Sequence, residues 1–107
     1  MKQHDAERMT EILKRIGGAL IQAIPESWTD ATLRVEVRTD AEGTSITHSI
    51  KSAKRRDIVM GSDDLFAATR ELQLFSEQAE EPWTTFEMQV YEKDGQWKFE
   101  INFEYAD

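Results

Sequence analysis

Apolar residues recur at three- and four-residue steps near the start of the chain. Met9, Leu13, Ile16, Leu20 and Ala23 form one stripe, widened by Ile12, Ala19 and Ile24. This spacing predicts a helix over residues 5–24, with Asp5 as N-cap. Pro25 disfavours helical geometry at Ile24 and ends the helix there. Gly17-Gly18 breaks the local rule, at roughly 1 kcal/mol per glycine relative to alanine. A close approach by a neighbouring element, or a kink, would account for the pair.

The period then changes to two. Leu33, Val35 and Val37 alternate with Arg34, Glu36 and Arg38, predicting a strand over 31–39. Asp40-Ala41-Glu42-Gly43 reads as a turn. A second alternating run, 44–51, puts Ile46, His48 and Ile50 on one face. Residues 52–61 have no clear period and read as a loop, with a short strand at Ile58–Met60 as an option. A second helix is expected over about 63–80. Its stripe is Leu65, Ala68, Leu72, Phe75 and Ala79, its cap Ser62 or Asp63, and Pro82 closes the segment.

The last stretch sets its own register. Asp94-Gly95 is a strong two-residue hairpin turn. With Lys93 opposite Gln96, Val90 faces Phe99, Met88 faces Ile101 and Phe86 faces Phe103. The other face takes Tyr91–Lys98, Gln89–Glu100 and Glu87–Asn102. A slip of one residue would destroy both patterns.

The element order is therefore α-β-β-α-β-β in a single domain, 1–107. The fold class is α+β: an antiparallel four-stranded sheet with two helices packed on one face. Phe86, Met88, Val90, Phe99, Ile101 and Phe103 are expected to form one buried sheet face beneath both helices.

At 107 residues a core of ordinary size is available, since such a chain buries roughly two-thirds of its unfolded surface. There is no cysteine, which removes disulfides, thiolate metal sites and cysteine nucleophiles. No apolar run approaches the roughly 20 residues of a membrane span, and the charged N-terminus carries no signal-peptide core, so a cytoplasmic location is expected. The formal net charge is −8. Residues 77–107 hold nine acids against only Lys93 and Lys98. Such a balance argues against nucleic-acid binding.

Few residues suggest catalysis. His4 lies near a terminus. His48 lies mid-strand with no nucleophile or orienting partner nominated by the pattern. Asp63-Asp64 and Glu80-Glu81 are adjacent pairs at helix ends, where neighbours do not share a face. Gly17-Gly18 is not a phosphate loop, because no strand precedes it. Lys51, Lys54, Arg55 and Arg56 form the one basic cluster. Trp28, Trp83 and Trp97 lie at element ends, suited to rim packing or to anchoring at a protein interface. These observations favour a protein-binding role with no cofactor and no metal. A small-molecule enzyme using His48 and nearby carboxylates, or a general adaptor, is the alternative.

Two stretches, IGGALIQAIPESW (16–28) and EPWTTFEMQVYEKDGQWKFEINFEYAD (81–107), resemble the YezG-like immunity protein family. The resemblance rests on Ile24, Pro25, Trp28, Trp83, Thr84, Gly95, Phe99, Phe103, Tyr105 and Asp107. It spans nearly the whole chain in the same element order. One departure is the second strand, where a more aromatic pattern is expected and Ile46, His48 and Ile50 stand. The resemblance implies a cytoplasmic antitoxin that binds a cognate bacterial toxin domain, often a nuclease; the chain itself is expected as a monomer or weak dimer. The partner-binding residues nominated on that basis are Glu87, Tyr91, Glu92, Asp94, Glu100 and Glu104, placed on the outer face and turn of the last hairpin. The loop Lys51–Arg56 is the competing site.

Overall fold

The computed structural model describes residues 3–53, 59–80 and 83–105. The elements are α1 (Gln3–Ala23), β1 (Asp30–Asp40), β2 (Gly43–Lys51), α2 (Asp63–Gln78), β3 (Trp83–Lys93) and β4 (Gln96–Tyr105). The strands form one antiparallel sheet in the order β2-β1-β3-β4. The α+β architecture and the α-β-β-α-β-β order follow the sequence pattern.

The helix boundaries have local causes. α1 stops just ahead of Pro25, with Ile24 N–H still reaching the Leu20 carbonyl at 3.2 Å. Asp5 is not the cap: it lies inside α1, which is already helical at Gln3. Ser62 caps α2 by accepting from the Leu65 N–H at 3.1 Å, and Asp63 and Asp64 occupy the first turn, where the helix dipole favours acids. α2 ends at Gln78, two residues before the expected end, because Glu80 takes a left-handed backbone with φ 60°. Of the optional strand at Ile58–Met60, Ile58 lies outside the described residues, and Val59 and Met60 are not in a strand.

The alternation in β1 is realised: Ala31, Leu33 and Val35 are buried beneath the helices. Ile12, Ile16 and Leu20 of α1 and Leu65, Ala68 and Leu72 of α2 meet them, with Trp28 and Trp83 also buried. The two tryptophans are thus core residues, and Trp97 packs partly against the same cluster. Asp30 fixes the chain leaving β2: its carboxylate accepts from Ser52 Oγ at 2.8 Å and Ala53 N–H at 2.9 Å. Exposed ion pairs join the helices, Arg15 to Glu71 at 2.9 Å and Arg8 to Glu71 at 3.2 Å. Pairs this exposed contribute little.

The β3–β4 register is the expected one throughout, from Lys93↔Gln96 to Phe86↔Phe103. Both turn residues have positive φ, 54° at Asp94 and 76° at Gly95, as a type I′ turn requires. Coverage of that face differs from expectation. Phe86, Met88 and Val90 are fully buried and Phe103 is partly buried, but Phe99 is 45% and Ile101 40% exposed. The cause is lateral placement. α1 packs on β1 and β3, so β4 extends past its flank. The Gly17 backbone admits the Phe99 ring at that flank. A Cβ on Gly17 would overlap Phe99 Cε1 and stand 3.0 Å from Cδ1. Gly18 has nothing within 4 Å of a built Cβ, so only the first glycine serves a close approach.

An irregularity at Thr84 lets Trp83 pair with Tyr105 while Thr85 pairs with Glu104. The extra residue turns Trp83 to the same side as Phe86. An aromatic series results, with ring centroids 5.8 Å apart for Trp83–Phe86, 5.2 Å for Phe86–Phe103 and 6.3 Å for Phe103–Tyr105.

Candidate functional site

Among the described residues, one face of the sheet carries no helix. Its rows are Arg34, Glu36 and Arg38 on β1, Glu87, Gln89 and Tyr91 on β3, and Lys98, Glu100, Asn102 and Glu104 on β4. An antiparallel sheet with one solvated face presents such a polar row from every strand. Arg34 is its organising cation. Its Nε donates to Glu36 at 3.0 Å and its Nη1 lies 3.4 Å from Glu87. Together with Glu104 further off, these carboxylates hold the Arg34 pKa above its ordinary value, the bond from Glu36 contributing most.

Four of the six nominated residues meet on this face: Glu87, Tyr91, Glu100 and Glu104. Asp94 projects at its end, in the turn. The face does not hold Glu92. Opposite Trp97, Glu92 shares the parity of Val90 and belongs to the helix side, where it lines a cleft of about 400 Å3 with Ile21, Pro25, Trp28 and Trp97. Its N–H donates to the Thr29 carbonyl at 2.9 Å. The parity of the strand, which also carries Val90 inward, sends Glu92 there.

The acids are not equivalent. Glu87 is half-buried and engaged by Arg34. Glu100 and Glu104 are exposed on the edge strand, and neither carboxylate has an ion-pair partner among the described residues. Tyr91 is half-buried opposite Lys98.

The competing basic cluster is visible only at Lys51, exposed at the end of β2; Lys54, Arg55 and Arg56 lie outside the described residues. Beside it, His48, Ile50, Lys51, Val59, Met60 and Phe66 line a cavity of about 260 Å3. His48 Nε2 lies 2.7 Å from Thr69 Oγ1, and that hydroxyl donates to the Phe66 carbonyl at 3.0 Å. A hydroxyl has one proton, so His48 Nε2–H is the donor to Thr69. Burial pushes the His48 pKa down and favours the neutral ring, whose centroid lies 4.7 Å from that of Phe66. This is a histidine tying β2 to α2, and no carboxylate orients it among the described residues. Nor do three or more His, Cys, Asp or Glu side chains gather there as metal ligands.

Sequence reasoning missed the other side of β4. Phe99, Ile101 and Tyr105 form an exposed apolar row, with a groove of about 180 Å3 between it and Thr10, Leu13 and Lys14 of α1. The alternation was legible; that the last strand would stand at the sheet edge, beyond α1, was not. No helix of the structure is long and apolar enough to cross a membrane. No model of a known protein family matches the chain, and no curated protein does.

Proposed function

We propose that this protein is an immunity protein that binds a cognate bacterial toxin domain and neutralises it by occupying its working surface. The observation that carries the proposal is the helix-free sheet face, where Glu100 stands exposed on the edge strand with no cationic partner among the described residues and Glu104, exposed beside it, is held only by the longer-range charge of Arg34. Such carboxylates accept from Arg and Lys, so the partner they suit is a protein with a basic surface. A nuclease has one, built for phosphate. The resemblance of 16–28 and 81–107 to YezG-like immunity proteins supports the same class. Complementary charge would steer the encounter and exclude the nucleic-acid substrate.

The test is association with the toxin domain, measured against charge reversal at separate places. Glu100→Lys should slow association about threefold to tenfold at low ionic strength. The loss should shrink at high salt, because exposed charges are screened. Reversal of Glu7 or Glu11 on α1 should matter less. If reversal at Lys51–Arg56 abolishes binding while Glu100→Lys does not, the site assignment is wrong.

A further inference from the structure

β4 is a strand of ten residues at the sheet edge, with no strand beyond it among the described residues. The two-residue turn makes Lys93 and Gln96 a hydrogen-bonded pair. Bonding alternates along an antiparallel ladder, so the even residues of β4 bond to β3. The odd residues, Trp97 to Tyr105, direct their N–H and C=O groups outward. The same odd residues carry the apolar row. Edge strands of this kind are ordinarily blunted by proline, charge or a bulge. β4 contains no proline, its one irregularity lies on β3, and its charged residues all point to the other face.

We infer that a second copy of this chain pairs antiparallel with β4, through a two-fold axis at Ile101, to give a continuous eight-stranded sheet. Charge and register on the strand itself single out this occupant. Centred on Ile101, Phe99 faces the partner's Phe103, Trp97 faces the partner's Tyr105, and Ile101 faces itself. The polar face then sets Lys98 opposite the partner's Glu104 and Glu100 opposite the partner's Asn102. Both pairings are free of like charges. Moving the axis to Glu100 would oppose Glu100 to itself, and moving it to Asn102 would oppose Glu100 to Glu104; like charges directly opposite destabilise a sheet. Axes at Phe99 and Phe103 oppose no like charges within the strand but shorten the overlap, the first by running each strand into the other's turn and setting Asp94 opposite Glu104, the second by leaving only residues 101–105 of each strand paired. The strand therefore favours one self-complementary register, as an isologous interface requires.

The opposite edge is unlike it. β2 exposes Thr44, Ser45 and Thr47, and its inward row, Ile46, His48 and Ile50, is at least half covered. Pairing through β4 occupies Glu104 with the partner's Lys98 but leaves Glu87 and Glu100 of both copies on one helix-free face, so the dimer keeps Glu100 for the proposed function and does not depend on that reading.

Sedimentation equilibrium over a wide concentration range tests the inference. The wild-type chain should dimerise, and dimerisation should tighten with added salt, because two copies of formal charge −8 repel. Ile101→Lys, which sets two ammonium groups face to face, should weaken the dimer at least about tenfold while leaving far-UV circular dichroism unchanged. Lys98→Glu and Glu104→Lys should each weaken it, and the two together should restore it. A wild-type chain that stays monomeric at all concentrations overturns the inference. So does a dimer indifferent to Ile101→Lys, or a charge swap that fails to restore association.

Discussion

Replacing Gly17 and Gly18 by alanine, one at a time, isolates the contact between α1 and the edge strand. Both glycines lie inside a helix, so each alanine should gain about 1 kcal/mol from helix propensity. At Gly18 nothing stands within 4 Å of the new Cβ, and the full gain should appear. At Gly17 the Cβ overlaps the Phe99 ring, which must swing away. That ring is 45% exposed, so its displacement is feasible and forfeits only part of its burial. Half the burial of a phenylalanine amounts to about 0.8–1.5 kcal/mol. The loss roughly cancels the gain, and G17A should lie about 1 kcal/mol below G18A in stability. The contact is tested by a double-mutant cycle with Phe99→Ala, using urea unfolding at one low protein concentration. In the Phe99→Ala background, G17A should recover the stabilisation seen with G18A. If G17A stabilises the wild-type chain as much as G18A does, Phe99 does not rest on Gly17, and the placement of β4 against α1 fails with it.

Burial lowers the His48 pKa, so over the range where histidine titrates the unfolded chain binds more protons there than the folded one. This contribution to stability is complete above the unfolded value of about 6.5 and declines as pH falls from there toward the folded value. Urea midpoints between pH 8 and 5 should therefore fall for the wild-type chain, and His48→Gln should flatten the slope; an unchanged slope would contradict the buried, Thr69-bonded imidazole. Ser62→Ala removes the α2 cap and should cost about 1 kcal/mol in thermal or urea unfolding. His48→Ala should leave toxin binding intact while lowering stability, and loss of protection with normal folding and binding would bring back the enzyme reading.

Legibility in the sequence followed the physics of each element. The β3–β4 register was readable because one turn dipeptide and two side-chain faces all specify it. The capping of α2 was readable because a serine hydroxyl has few other uses three residues before a free N–H. Two features resisted. The turning of Trp83 to the core depends on an extra residue at Thr84, which shifts strand parity without altering the apolar pattern. The exposure of Phe99 and Ile101 depends on where α1 comes to rest across the sheet, a lateral position that periodicity does not encode. On the site, the acids of the outer face were located from alternation, but Glu92 was grouped with them although its parity is that of Val90. Which carboxylates are spent on Arg34 and which stand free needed the pairing of β1 with β3, between residues far apart in the chain.

Protection of living cells tests most directly whether this chain neutralises a toxin by binding it. The tagged protein should capture, from cells that make it, a basic protein domain that arrests growth when expressed alone. Co-expression of the wild-type chain should restore growth, and co-expression of Glu100→Lys should restore it less well at matched protein levels. Capture of no growth-arresting protein, or rescue of growth without any physical association between the two, would contradict the account.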